Sequence, residues 1–123
     1  NDLGLVYKLV SAEYKTVDNE NVADITFTVT NNTGLDLQDF QLSLGGTYFE
    51  DNIGKQYYRI AISNGGDFYT NVHGTFKKSS TWQLTIRIPG ININSKRFNG
   101  SVPCTVDGYP LGDSYVNFYD ISL

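Results

Sequence analysis

His73 is the single imidazole of this chain and Cys104 its single thiol. Brought together, they would make a nucleophile and a base. Their local patterns point elsewhere. Cys104 alternates with Val102 and Val106, which places it on the apolar face of a strand, where cysteine behaves as a small hydrophobe. His73 lies in Asn71-Val72-His73-Gly74-Thr75, a strand leading into a turn with none of the elbow that presents a serine nucleophile. One cysteine makes no internal disulfide, and one thiol with one imidazole cannot supply a structural zinc site, which takes four ligands.

Carboxylates are more numerous. Asp51, Asp67, Asp107 and Asp113 each adjoin Gly or Asn, the setting in which an Asp side chain bonds the backbone of its own turn. Asp120 falls among Val116, Phe118 and Ile121 and is expected to face outward, while Glu13, Glu20 and Glu50 complete the set. A glycosidase needs two carboxylates facing each other at a defined spacing, which a linear pattern does not report. Calcium needs six to eight oxygens, more than Asp51-Asn52 or Asp107-Gly108 offers alone. The expectation is a non-catalytic chain with no metal or cofactor.

The aromatic residues give the functional hint. Sugars present apolar C–H patches ringed by hydroxyls, so a glycan surface needs exposed aromatic faces beside amides and carboxylates. Tyr109, between Gly108 and Pro110, is expected in an exposed, rigid loop. Tyr57 and Tyr69 run out of phase with Tyr58, Ile60 and Ile62 or with Phe68. These three tyrosines are the expected ligand-binding residues. The alternative is cross-strand packing on half-exposed sheet faces. Trp82 shares phase with Leu84 and Ile86 and is expected in the core.

The elements that would position these groups are strands. Ala23, Ile25, Phe27 and Val29 alternate with Asp24, Thr26, Thr28 and Thr30, and Trp82, Leu84, Ile86 and Ile88 alternate with Thr81, Gln83, Thr85 and Arg87 before the stop at Pro89-Gly90. Leu35 and Leu37 give way to Phe40, Leu42 and Leu44, a change of phase that predicts a bulge or strand boundary near Gln38-Asp39. Weaker strands are predicted at 3–12, 46–49, 56–62, 68–72, 102–106 and 115–121, with turn chemistry at 16–21, 51–54, 64–67, 77–80 and 107–113. No window holds a helical apolar period. Short strands without crossover helices predict one all-β domain over 1–123, an antiparallel two-sheet immunoglobulin-like sandwich of seven to eight strands, with a partly open barrel as the alternative.

Composition bounds the rest. The chain has 123 residues, 9 Lys+Arg against 13 Asp+Glu and a formal charge of -4. That is one domain, large enough to bury a core without covalent staples. No basic block exceeds Lys77-Lys78, so nucleic acid is not an expected partner. No apolar run approaches a bilayer span. The start at Asn1, with no Met anywhere, reads as a trimmed chain. The two Asn-x-Ser/Thr patterns, Asn31-Asn32-Thr33 and Asn99-Gly100-Ser101, match what chance gives at this composition.

Four stretches carry a family resemblance: Ile25 through Asn31, then Tyr48-Phe49-Glu50-Asp51 with Gly54 and Tyr57, then Leu84 through Ile91, and last Val116 through Ile121. In order, they resemble small immunoglobulin-like sandwich domains of exported bacterial proteins and lipoproteins, common in Bacteroidota and many of unknown function. In those domains a strand ending in Thr-Asn precedes a hairpin whose turn reads Asp-x-x-Gly-x-x-Tyr, and a late strand precedes a Pro-Gly stop. The resemblance implies an extracytoplasmic, non-catalytic module for binding, adhesion or assembly, secreted or anchored at the cell surface. It implies no active site. The paired cysteines of antibody domains are missing. Two readings follow: a module binding a glycan or a protein surface, and a structural subunit that self-associates through its terminal strands.

Overall fold

A computed structural model of the chain describes residues 4–92 and 94–123, with the side chains of 111–114 outside the description. The predicted strand start at Leu3 and the carboxylate of Asp113 therefore lie outside the described residues. The elements are β1 (Leu5–Val17), β2 (Glu20–Asn31), β3 (Leu37–Ser43), β4 (Phe49–Asp51), β5 (Gln56–Tyr57), β6 (Ala61–Ser63), β7 (Asn71–Phe76), β8 (Thr81–Pro89), β9 (Arg97–Val106) and β10 (Tyr109–Ser122). Among the described residues no helix is long and apolar enough to cross a membrane.

Two antiparallel sheets pack as a sandwich. One has the order β1-β2-β8-β6. In the other, β9 is the hub: β10 pairs along one edge, and on the other edge β3 pairs with Cys104 to Val106 while β4 pairs with Phe98 to Gly100. Beyond these lie β7, against β3, and β5, against β4. The first order corresponds to the A-B-E-D sheet of immunoglobulin domains, and β10-β9-β3 to G-F-C. The alternating residues sit as their period requires: Ala23, Ile25, Phe27, Val29, Leu84, Ile86 and Ile88 are all buried.

The structure has ten strands among the described residues instead of seven to eight. The main reason lies at 56–62, read above as one strand. The chain there leaves the six-stranded sheet after Tyr57 and joins the four-stranded sheet at Ala61. A second correction concerns 107–113. Asp107 (φ 51°) and Gly108 (φ 79°) form a two-residue hairpin turn, with Val106 facing Tyr109, so β10 begins at once where a long loop was expected. Asp18 and Asn19 turn the β1–β2 hairpin in the same left-handed conformation.

The predicted bulge is present. Asp39 has φ 45°, and the β3–β7 register slips between Leu37 and Phe40. A second bulge explains Asp120: at φ 51° it and Tyr119 turn outward together, so Ile121 regains the core. Trp82 is half-buried and closes one end of the core against Phe76 and Phe40, with ring centroids 4.7 and 5.5 Å away.

The two sheets meet through aromatic rings. Phe118 of β10 packs edge-on against Phe27 of β2 at 5.1 Å and lies tilted against Phe49 of β4 at 5.5 Å. Phe49 lies where the side chain of Gly100 would be: a Cβ there would come within 2.6 Å of its ring. Gly100→Ala is expected to cost about 1–3 kcal/mol by overpacking, read as a lower urea midpoint, with Gly45→Ala, whose Cβ would meet only Ser43 Oγ at 3.8 Å, as the near-neutral control.

Candidate functional site

The sheet register decides the fate of the thiol and imidazole. Leu42 faces both Val72 and Cys104, and Gln41 faces both His73 and Thr105. Adjacent residues point to opposite faces, so Cys104 enters the core while His73 stands outside on β7. Cys104 Sγ lies 3.5 Å from the Tyr7 hydroxyl. Among the described residues no group of three His, Cys, Asp or Glu side chains is placed to hold a metal ion.

Asp51 is buried and saturated with donors. The backbone N–H groups of Ile53 and Lys55 donate to Oδ1 at 3.0 and 2.9 Å, and the hydroxyls of Tyr57 and Ser95 donate to Oδ2 at 2.7 Å each. This is the physical content of the Asp-x-x-Gly-x-x-Tyr pattern: the carboxylate ties the turn at Gly54 to the hydroxyl of Tyr57 and to the distant Ser95. Burial pushes the Asp51 pKa up, but the bonds from Ser95, Tyr57 and the backbone outweigh it and hold the carboxyl below its ordinary value. Burial and the bond to Asp51 raise the Tyr57 hydroxyl, against a lowering by Ser95.

Asp24, expected on a solvent-facing row, is also buried. Arg87 grips it with Nε and Nη2 at 2.8 Å each, Lys15 Nζ lies 3.4 Å away, and Phe68 lies 4.2 Å from the Arg87 guanidinium. Burial raises its pKa, but Arg87 and then Lys15 outweigh that and lower it.

Of the three expected ligand-binding tyrosines, Tyr57 is corrected: it is buried, and its hydroxyl is committed to Asp51 and Ser95. The even phase of Tyr58, Ile60 and Ile62 assumed one continuous strand. The passage between sheets breaks that phase, turning Tyr57 inward and Tyr58 outward. Tyr69 is exposed beside an open groove of about 570 Å³ that includes Asn64, Asn71 and His73. Tyr109 is exposed directly after the Asp107-Gly108 turn. Tyr57 and Tyr69 border different grooves, and Tyr109 borders neither.

A different set of tyrosines shares one surface, the outer face of the six-stranded sheet. Tyr48 and Tyr119 line an open groove of about 280 Å³ together with Glu50, Asn99 and Ser101. The ring of Tyr58 lies 5.3 Å from that of Tyr48, and its hydroxyl donates to Gln56 Oε1. Tyr119 is 72% exposed because the bulge turns it out. That bulge is fixed from below. The Asp120 N–H donates to Asn99 Oδ1 at 2.7 Å, and Arg97 Nη1 donates to Asp120 Oδ2 at 2.8 Å. Ser101 Oγ donates to Asn117 Oδ1 at 2.7 Å, and Thr47 Oγ1 donates to the Ser101 carbonyl. Sequence reasoning missed Tyr48, Tyr58 and Tyr119. The usable signal was the odd spacing from Phe118 to Ile121, a one-residue slip of phase that marks Tyr119-Asp120 as a bulge.

No family model, curated protein or solved structure matches the chain.

Because both Asp51 and Asp24 ionise more readily in the folded state, the stability they contribute is complete above the ordinary Asp value of 3.8. It is lost as pH falls through their lowered folded values. Unfolding free energy is thus expected to drop steadily as denaturation is followed downward from pH 5. Asp51→Asn should be less stable than the parent at pH 7 and show a shallower acid slope; an unchanged slope would remove Asp51 from this role. Tyr57→Phe is expected to lose about 1–3 kcal/mol through the weakened solvation of the buried carboxylate.

Proposed function

We propose that this domain is a non-catalytic binding module whose ligand is a carbohydrate lying across the outer face of the six-stranded sheet. The observation that supports this reading is the pairing of two exposed rings, Tyr48 and Tyr119, with Glu50, Asn99 and Ser101 along one groove. Stacked sugar rings present their C–H faces to the tyrosines, and the ring hydroxyls meet carboxylate, amide and hydroxyl groups. Asn99 spends its oxygen on the Asp120 N–H, so its amide donor is the end offered to a sugar hydroxyl. Glu50, Asn99 and Ser101 stand on strands, Tyr119 on a hydrogen-bonded bulge and Tyr48 directly before β4 with its ring 5.3 Å from that of Tyr58, which limits the side-chain freedom lost on binding. The resemblance to exported bacterial domains agrees with an extracytoplasmic site of action.

A second reading, a structural subunit assembling through a terminal strand, draws support from β1. That strand forms one edge of its sheet and leaves Val6, Leu9, Val10 and Tyr14 exposed.

Titration calorimetry against a panel of neutral hexose and pentose oligosaccharides tests the first reading. Tyr48→Ala and Tyr119→Ala are each expected to weaken binding about tenfold or more, the scale of one lost aromatic contact with its buried area. Tyr109→Ala should leave it unchanged. Failure of every oligosaccharide to bind, or binding indifferent to both groove substitutions, would overturn the assignment.

A further inference from the structure

β1 has a property that its edge position alone does not give. It is hydrogen-bonded to β2 on one side, and the register slips between Leu9 and Ser11, which makes Val10 an extra residue. Before the bulge, Tyr7 and Leu9 oppose the core-facing Val29 and Phe27, while Lys8 opposes the outward Thr28. After it, Ala12 and Tyr14 oppose the core-facing Ile25 and Ala23, while Glu13 opposes the outward-row residue Asp24. Odd-numbered residues before the bulge therefore share a face with even-numbered residues after it.

We infer that this edge pairs antiparallel with the same edge of a second copy of the chain, about a two-fold axis between Val10 and Ser11. The inference rests on the assembly reading and supplies its partner and register. In this register Lys8 of one copy faces Glu13 of the other, Tyr7 faces Tyr14 and Leu9 faces Ala12, each pair occurring twice. Every pair joins residues of one face: Tyr7 to Tyr14 and Leu9 to Ala12 on the core side, Lys8 to Glu13 on the outer side. A regular strand could not do this, because pairing an odd with an even position would put the two side chains on opposite faces. The bulge makes the strand complementary to itself.

Charge agrees with the register. Lys8 is exposed and has no ion-pair partner among the described residues, and Glu13 is exposed with Lys15 3.6 Å away. Lys15 would face Val6 of the second copy, over which its methylene stem can lie. A two-fold contact of this kind uses one patch on both copies and closes on itself. It joins two four-stranded sheets into one continuous sheet and covers Val6, Leu9, Val10 and Tyr14. The groove between Tyr48 and Tyr119 lies on the other sheet and stays open.

The test is the solution mass of the full chain, by light scattering and sedimentation from micromolar to millimolar concentration. The parent protein is expected to show a monomer–dimer equilibrium. Lys8→Glu sets two Glu–Glu contacts across the axis and Glu13→Lys sets two Lys–Lys contacts, so each variant alone should dimerise about tenfold or more weakly. An equimolar mixture of the two variants should recover dimer, because in the heterodimer both pairs are again opposite in sign. Tyr119→Ala should leave association unchanged. Thermal melts check that both variants fold, and Lys8→Gln, a milder change expected to weaken association less than Lys8→Glu, provides a second reading at the same position. A parent that stays monomeric throughout would overturn both the assembly reading and this register. A dimer indifferent to the single substitutions, or a mixture no tighter than its components, would overturn the register alone.

Discussion

The packing of Phe49 into the space left by Gly100 is the contact on which the rest of the molecule leans. The hub strand β9 serves β10, β3 and β4 together, and a side chain at Gly100 would meet the Phe49 ring at 2.6 Å. With that ring seated, Phe118 reaches both Phe49 and Phe27 and so joins the two sheets. No disulfide joins the sheets, since Cys104 is the chain's single cysteine. Aromatic area, worth roughly 25 cal/mol per Å² removed from water, takes that role. The same contact has an outer consequence. Seating Phe49 inward turns its neighbours Tyr48 and Glu50 outward, onto the face where the groove lies.

Bulges set which residues this protein shows to its surroundings. Each inserts a residue that breaks the two-residue period and reassigns every side chain beyond it. At Asp39 the effect is internal, bringing Phe40 and Leu42 into the core after Leu37. At Tyr119-Asp120 it sets a tyrosine out over the sheet and anchors it through Asn99 and Arg97. At Val10 it leaves an apolar edge with matched faces on either side of its midpoint. The proposed binding face and the proposed self-pairing edge thus rest on the same device, used on different sheets.

The buried carboxylates illustrate how residue types that suggest chemistry can be structural. Asp51 and Asp24 are each surrounded by donors, four around the first and a bidentate guanidinium plus an ammonium around the second. The four donors on Asp51 fill its acceptor sites, and the charge of Asp24 is held by its two cations. Tyr57 belongs with Asp51 for the same reason, whereas Tyr48, Tyr58 and Tyr119 keep their faces in solvent.

The sequence by itself determined the all-β class, the strands centred on Phe27 and Ile86, the burial of Cys104 and the slip near Asp39. All of these follow from the two-residue period, which is local and survives in any sandwich of this kind. It also placed most of the turns, because Asp, Asn and Gly tolerate left-handed dihedrals wherever they sit. Only the tertiary structure decided which tyrosines are exposed. Tyr57 and Tyr58 are neighbours of identical type, and their fates part where the chain passes from one sheet to the other, a change of partner that no local pattern records. The grouping of Tyr48 with Tyr119 was likewise invisible, since the two stand 71 positions apart and meet only because β4 and β10 flank the same strand, β9.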